Sequence, residues 1–268
     1  MVSRITSARN PGFTALLALQ EKSRLRRGKG LFVVEGRREI LHALEAGYVP
    51  EEFYVNGDIP GWEEFLGEAG VSGDIRVSEL PGWLYSKAAY REGTEGVIAV
   101  LRARGHSLED LVLGRPDPLI AVVESVEKPG NLGAILRSAD ASGTDAVIFC
   151  DPLTDIYNPN LIRASLGAVF TVPVATASSA EAIAWLKERK ITIYTAQLQD
   201  SLPYYDAPMT GGVAIALGTE STGLSDEWRK AADRHVRIPM LGKLDSLNVS
   251  VSAAILLYEA VRQRQSNG

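Results

Sequence analysis

The sequence predicts an α/β protein, with an open parallel-sheet domain in its C-terminal half and a smaller α/β domain before it. Residues 119–123, 146–150, 191–195 and 213–217 are continuous apolar runs without alternation, the pattern of strands buried on both faces of a parallel sheet. Helical spacing fills the gaps at 131–142, 158–170 and 179–190, so the sheet is expected to be covered on both sides. The 268 residues, 46% hydrophobic with 25 glycines, are enough for two modest domains.

The N-terminal elements follow in order. Residues 11–25 have helical spacing, and Gly28 and Gly30 end it before the apolar strand 31–34. Ile40, Leu41 and Leu44 mark a helix over 37–46, closed by Gly47, and a strand follows at 52–55. A helix at 62–70, a strand at 75–77, a helix at 78–86 and a strand at 96–101 complete this part. The chain then turns polar and broken, giving expected domains at 1–105 and 118–268 with a linker at 106–117.

Charge is unevenly spread. Residues 1–29 hold seven Lys and Arg against one Glu, although the whole chain is at −5. Clustered cations of this kind are what phosphate neutralisation requires, while on charge alone a solvated helix end and loop is the plainer reading.

One cysteine, Cys150, makes no intramolecular disulfide, and with His42, His106 and His235 it builds no zinc cluster of ordinary spacing, so no metal is expected. Without a secretory h-region or an apolar run of about 18 residues, the expected compartment is the cytoplasm. Walker, dinucleotide, nucleophile-elbow and zincin motifs are all absent, and each histidine reads as structural or solvated.

Three glycine- and asparagine-bearing segments remain, each after an expected strand, where open α/β sheets bind ligands. In the first, Pro129-Gly130 turns the chain, Asn131 is placed to cap a helix striped by Leu132, Ile135, Leu136 and Ala139, and Arg137 lies off that stripe. Asn131 and Arg137 can hold a phosphate or oxyanion there, or simply cap the helix and pair with a surface carboxylate. In the second, Gly218 and Gly223 bracket a turn that leaves Glu220 at a strand end. In the third, Ser246 or a neighbour caps a last helix with an expected buried face of Val251, Ala254, Ile255, Tyr258 and Val261.

Together NLGAILRSADASG from Asn131, GTESTGL from Gly218 and IPMLGKLDSLNVSVS from Ile238 resemble the three motifs of the SpoU (TrmH-like) RNA 2′-O-ribose methyltransferases. The likeness covers about 119–264, and the first hundred residues are similar, more loosely, to an L30e-like RNA-binding domain. It implies an α/β fold with a deep C-terminal trefoil knot, S-adenosylmethionine as methyl donor without a metal, and a homodimer with its site near the subunit interface. Carried onto this chain, it implies catalytic roles for Asn131, Arg137, Glu220, Ser246 and Asn248, and cofactor contacts at Ala196, Leu217, Gly218, Ile238, Met240 and Leu247. Arg163 matches an arginine facing RNA phosphate, and Arg24, Arg26 and Arg27 in the basic segment are further RNA-contact candidates. Thr219 departs from the family pattern, which has asparagine there in many members.

The implied substrate is RNA, with 23S ribosomal RNA ahead of transfer RNA, and a non-catalytic RNA-binding or ribosome-assembly factor is the rival. A small-molecule-modifying α/β enzyme would leave the N-terminal half unexplained. The implied base, Arg137, is a guanidinium that stays protonated at neutral pH. Either its pKa is greatly lowered, or it stabilises an alkoxide while water or RNA phosphate takes the proton.

Overall fold

The computed structural model describes residues 2–71, 73–90 and 95–266. In chain order the N-terminal elements are β1 (Val2–Arg4), α1 (Pro11–Glu21), α2 (Ser23–Lys29), β2 (Leu31–Glu35), α3 (Arg37–Glu45), β3 (Pro50–Asn56), α4 (Trp62–Glu68), β4 (Arg76–Leu80), α5 (Gly82–Ala88) and β5 (Val97–Arg102). Then come β6 (Leu119–Glu124), α6 (Pro129–Ser142), β7 (Ala146–Cys150), α7 (Pro159–Ser165), α8 (Ala168–Thr171), β8 (Val174–Ala177), α9 (Ser179–Glu188) and β9 (Thr192–Ala196). The chain finishes with β10 (Leu202–Pro203), β11 (Val213–Leu217), α10 (Asp226–Ala231), β12 (Arg234–Arg237) and α11 (Val249–Ser266). No helix among the described residues is long and apolar enough to cross a membrane.

Two compact units result. The first comprises residues 1–104 and 155–171, the second 105–154 and 172–268. The segment 155–171, expected with the C-terminal domain, groups with the first unit for a visible reason. Tyr157 stacks on Phe32 with ring centroids 4.1 Å apart, Phe170 meets Tyr48 edge-on at 5.2 Å, and Asp155 pairs with Arg26. Aromatic contacts of this geometry add to the area they bury.

The first unit has a five-stranded mixed sheet in the order β1-β4-β3-β5-β2. The helix expected over 11–25 breaks at Lys22, which is extended. Arg26 then folds back, its Nη1 donating to the carbonyls of Leu19 and Gln20 that the break leaves open. Residues 78–80, expected to be helical, extend β4 instead. Leu80 precedes Pro81, whose ring disfavours α conformation in the residue before it, and the helix begins at Gly82.

The second unit is built on a seven-stranded sheet in the order β10-β12-β9-β11-β6-β7-β8, parallel throughout. Every residue of β6, β7 and β11 is buried, as unbroken apolar runs require. Cys150 belongs to this core, where burial pushes its thiol up, so it stays protonated at neutral pH. The expected helix 158–170 is two helices, split where Leu166 and Gly167 both adopt positive φ. β12, which reads Arg-His-Val-Arg, carried no apolar signal, yet it pairs in register with β9.

α11 differs from expectation in its face. It buries Ala253, Leu256, Leu257 and Ala260, whereas Val251 and Tyr258 are 46% and 49% exposed. Its far end is tied down by Arg264, which donates to the carbonyls of Met209, Gly211, Asp117 and Pro118.

Candidate functional site

The site forms where β11 ends and the starts of α6 and α11 converge on it. Gly218 is required there: a Cβ would run into the backbone of Gly223 and Leu224, because the loop doubles back and Thr219 bridges to Gly223. Thr219 Oγ1 accepts from the Thr222 amide at 3.1 Å. The residue that departs from the family pattern therefore holds the turn that projects Glu220.

Glu220 is the hub of a polar cluster. Its Oε1 accepts from Asn131 Nδ2 at 3.1 Å and from Asn248 Nδ2 at 2.6 Å, and Asn248 Nδ2 also donates to Asn131 Oδ1 at 3.1 Å. Lys128 Nζ lies 3.6 Å from Glu220 Oε2. Three sequence segments far apart in the chain thus meet at one carboxylate, which accepts charge-assisted hydrogen bonds.

The local folding explains why these amides are available. α6 starts at Pro129, whose fixed φ suits a first helical position, so Asn131 lies inside the first turn rather than at the cap where the sequence placed it. The last helix is capped by Asn248, not Ser246: its Oδ1 accepts from the Ser250 amide at 3.0 Å and from Ser250 Oγ at 2.6 Å. One amide side chain therefore caps α11 through its oxygen and holds Glu220 through its nitrogen.

Beside the cluster lies a cleft of about 350 Å³. Ala196, Leu217, Gly218, Ile238, Met240 and Leu247 all line it, together with Glu220 and Ser246. Ser246 contacts Asp245 at 3.5 Å and takes no part in the Glu220 cluster. Arg137 is exposed on α6, six residues beyond Asn131 and therefore turned well away from it on the helix. Among the described residues its side chain makes no hydrogen bond or ion pair.

The N-terminal candidates separate sharply. Arg26 is buried, its Nε 2.7 Å from Asp155 Oδ2, so it is an internal structural residue and not an RNA contact. Arg24 and Arg27 are exposed on the same short helix. Arg163, in the first unit, lies over the Tyr90 ring at 5.6 Å and donates to Asn160 Oδ1 at 3.1 Å, lining a cavity of about 300 Å³.

His235 Nδ1 lies 2.6 Å from Thr195 Oγ1 and His106 Nδ1 lies 3.1 Å from the Val174 carbonyl, so both are engaged structurally. Sequence reasoning did not single out Lys128 or Arg229. Lys128 stands directly before Pro129 in the first motif, and Arg229 five residues beyond the second, where no residue pattern marks it.

Fold and site together define an open parallel α/β protein whose strand ends carry a ligand-sized cleft and a polar cluster at its edge. The SpoU rRNA methylase family matches residues 118–258, and the MRM3-like substrate-binding domain matches residues 10–99. A 23S rRNA (uridine(2479)-2′-O)-methyltransferase of Streptomyces viridochromogenes is 32% identical over 98% of this chain and 93% of its own length. A crystal structure of an RNA 2′-O ribose methyltransferase is 40% identical, with a TM-score of 0.84 over 98% of this chain and 99% of that one. The AdoMet-bound rRNA methyltransferase of Sinorhizobium meliloti is 28% identical, with a TM-score of 0.88 over 97% of this chain and 98% of that one. The chain belongs to the SpoU rRNA methylase family and carries an MRM3-like substrate-binding domain ahead of the methylase part.

Proposed function

We propose that this chain is an RNA 2′-O-ribose methyltransferase that uses S-adenosylmethionine and acts on 23S ribosomal RNA. The observation that carries the reading is the meeting of Asn131, Glu220 and Asn248 at the edge of a cleft lined by the expected cofactor residues. The name of the Streptomyces relative, which spans nearly the whole chain, supports 23S RNA over transfer RNA.

The cleft suits the cofactor. Its volume falls in the range of small-molecule sites, Leu217, Ile238 and Leu247 offer apolar surface for an adenine ring, and Glu220 and Asp245 offer negative charge to a cationic ligand. When bound, S-adenosylmethionine supplies an electrophilic methyl on a positive sulfur. Glu220, fixed by two amides, helps align the ribose, since positioning alone is worth roughly 7–11 kcal/mol in such displacements. Arg137 stabilises the alkoxide developing at the 2′-oxygen while water or an RNA phosphate accepts its proton. Ser246 lines the cleft and contributes to placing the reactants.

The reading includes a homodimer. Arg137 is turned away from Asn131 and Glu220 in its own chain, and Val251 and Tyr258 leave an exposed apolar face on α11. A second copy seated there would bring Arg137 to a shared site. It also includes a trefoil knot in the C-terminal part and a cytoplasmic location. The first unit, residues 1–104 with 155–171, binds the RNA through Arg24, Arg27 and Arg163, and the second, 105–154 with 172–268, carries methyl transfer; the stretch expected as a linker packs into that second unit, with Leu108 in its core.

The test is transfer of radiolabelled methyl from S-adenosylmethionine to RNA lacking native methylation, fractionated into transfer and ribosomal RNA. Label in the 23S fraction that disappears with Arg137→Ala is the expected result. Label confined to transfer RNA would overturn the substrate, and cofactor binding without transfer to RNA or to partial ribosomes would favour the non-catalytic reading.

A further inference from the structure

We propose that Arg229 anchors the carboxylate of the amino-acid end of S-adenosylmethionine, a contact that rests on the methyltransferase reading above. Arg229 sits on α10 and its side chain lines the same cleft as Leu217, Gly218 and Leu247. It also lines a smaller cavity with Thr219, Thr222 and Gly223, so the guanidinium borders the glycine loop from two sides.

Two observations show that this guanidinium is not spent inside the protein, and a third places it against the glycine loop. Its Nε is buried and has no hydrogen-bond partner among the described residues, which is unusual for a strong donor. Its ion pair is with Asp226, at 3.9 Å and 80% exposed, a contact of the weak solvent-screened kind. Its Nη2 lies against Gly223, where a Cβ would stand 3.6 Å away and φ is +69°. The guanidinium therefore reaches the glycine loop that borders the cleft.

The charges of the cleft favour an anion at this end. S-adenosylmethionine carries a sulfonium and an ammonium, which suit Glu220 and Asp245, and one carboxylate, which needs a cation. Arg237, the other arginine of the lining, already donates through Nη1 to the Ser201 carbonyl. Arg237 keeps donors too, but Arg229 alone borders the glycine loop from both cavities and has an unpartnered Nε, and the planar fork of a guanidinium matches a carboxylate bidentately. The contact sets the direction of the cofactor, with its carboxylate end toward α10 and its sulfonium toward Glu220.

The experiment is calorimetric titration of the full-length protein with S-adenosylmethionine and with its decarboxylated form, which lacks only the carboxylate. The parent is expected to prefer S-adenosylmethionine by about 10- to 100-fold. Arg229→Gln is expected to bring the two affinities within about 3-fold by weakening S-adenosylmethionine alone, and Arg229→Lys to restore part of the preference. Equal affinity of the parent for both ligands, or an equal loss of both in Arg229→Gln at unchanged melting temperature, would overturn the assignment. The latter would make Arg229 a prop of the loop. A parent that binds neither ligand would overturn the methyltransferase reading itself.

Discussion

Arg26 and Arg137 are each a cation on a helix and each a candidate RNA or site contact from the sequence, yet the structure uses them oppositely. Arg26 is 4% exposed, paired with Asp155 and spending two further hydrogen bonds on the open carbonyls of Leu19 and Gln20. Arg137 is exposed on α6 with no partner among the described residues. A run of basic residues therefore mixes internal struts with free charges, and only burial sorts them. Arg24 and Arg27, two and one residues away from Arg26, remain on the surface.

Mutations sharpen that contrast, and the largest expected effect is on stability. Arg26→Ala strands the Asp155 carboxylate, 9% exposed, without its cation and should cost roughly 3–5 kcal/mol, read as a fall in the urea midpoint. Arg137→Ala should leave that midpoint within about 0.5 kcal/mol, as surface changes do. A shared loss of stability would break the comparison.

The next effect is on rate. Arg137→Ala and Glu220→Gln should each lower single-turnover methyl transfer by about 10²–10³-fold, the loss typical of removing one preorganised transition-state contact. Glu220→Gln keeps one oxygen to accept from Asn131 and Asn248 but removes the charge that strengthens those bonds and pairs with Lys128, so its loss should lie in kcat more than in cofactor affinity. Normal turnover in either variant would remove that residue from the catalytic set.

A smaller effect is expected on RNA affinity. Replacing Arg24 and Arg27 with alanine should weaken RNA binding and lower the slope of log K against log salt by about 0.7–0.9 for each phosphate no longer neutralised, with S-adenosylmethionine affinity unchanged. An unchanged slope would mean that these exposed cations face solvent only.

The smallest effect concerns pH. Glu259 on α11 is buried and bonded to Arg262 and Gln263, and the Arg262 guanidinium holds its carboxyl below the usual range. A carboxylate lowered in the folded state stabilises fully above the ordinary carboxylate pKa and loses that contribution as pH falls through the folded value. Glu259→Gln should flatten the acid limb of a stability-against-pH curve while leaving Arg262→Ala little further to remove. A limb of unchanged steepness in Glu259→Gln would assign the acid sensitivity to other carboxylates.

Much of the sheet was legible because β7 and β11 are apolar throughout, β6 is so up to Glu124, and β9 carries Ile193 and Tyr194 at its buried centre. β1, β8, β10 and β12 escaped notice because they lie at or near sheet edges and are short or polar. Asn131, Glu220 and Asn248 were legible as parts of glycine-bearing motifs, but their meeting was not, since residues 89 and 117 positions apart share no local signal. The exposed face of α11 was misread because periodicity marks an apolar stripe without saying which of two apolar stripes faces the core. Arg26 was misread because its partner lies 129 residues downstream.

That last separation reaches into the order in which the polypeptide is made. The first unit is discontinuous, so on a translating ribosome its N-terminal part emerges complete to β5 while Asp155, Tyr157 and Phe170 are still unsynthesised. Until residue 157 has left the exit tunnel, Arg26 and Phe32 do not both have their partners, Asp155 and Tyr157. Any excision of the N-terminal part at the apparent linker reproduces that unfinished state permanently.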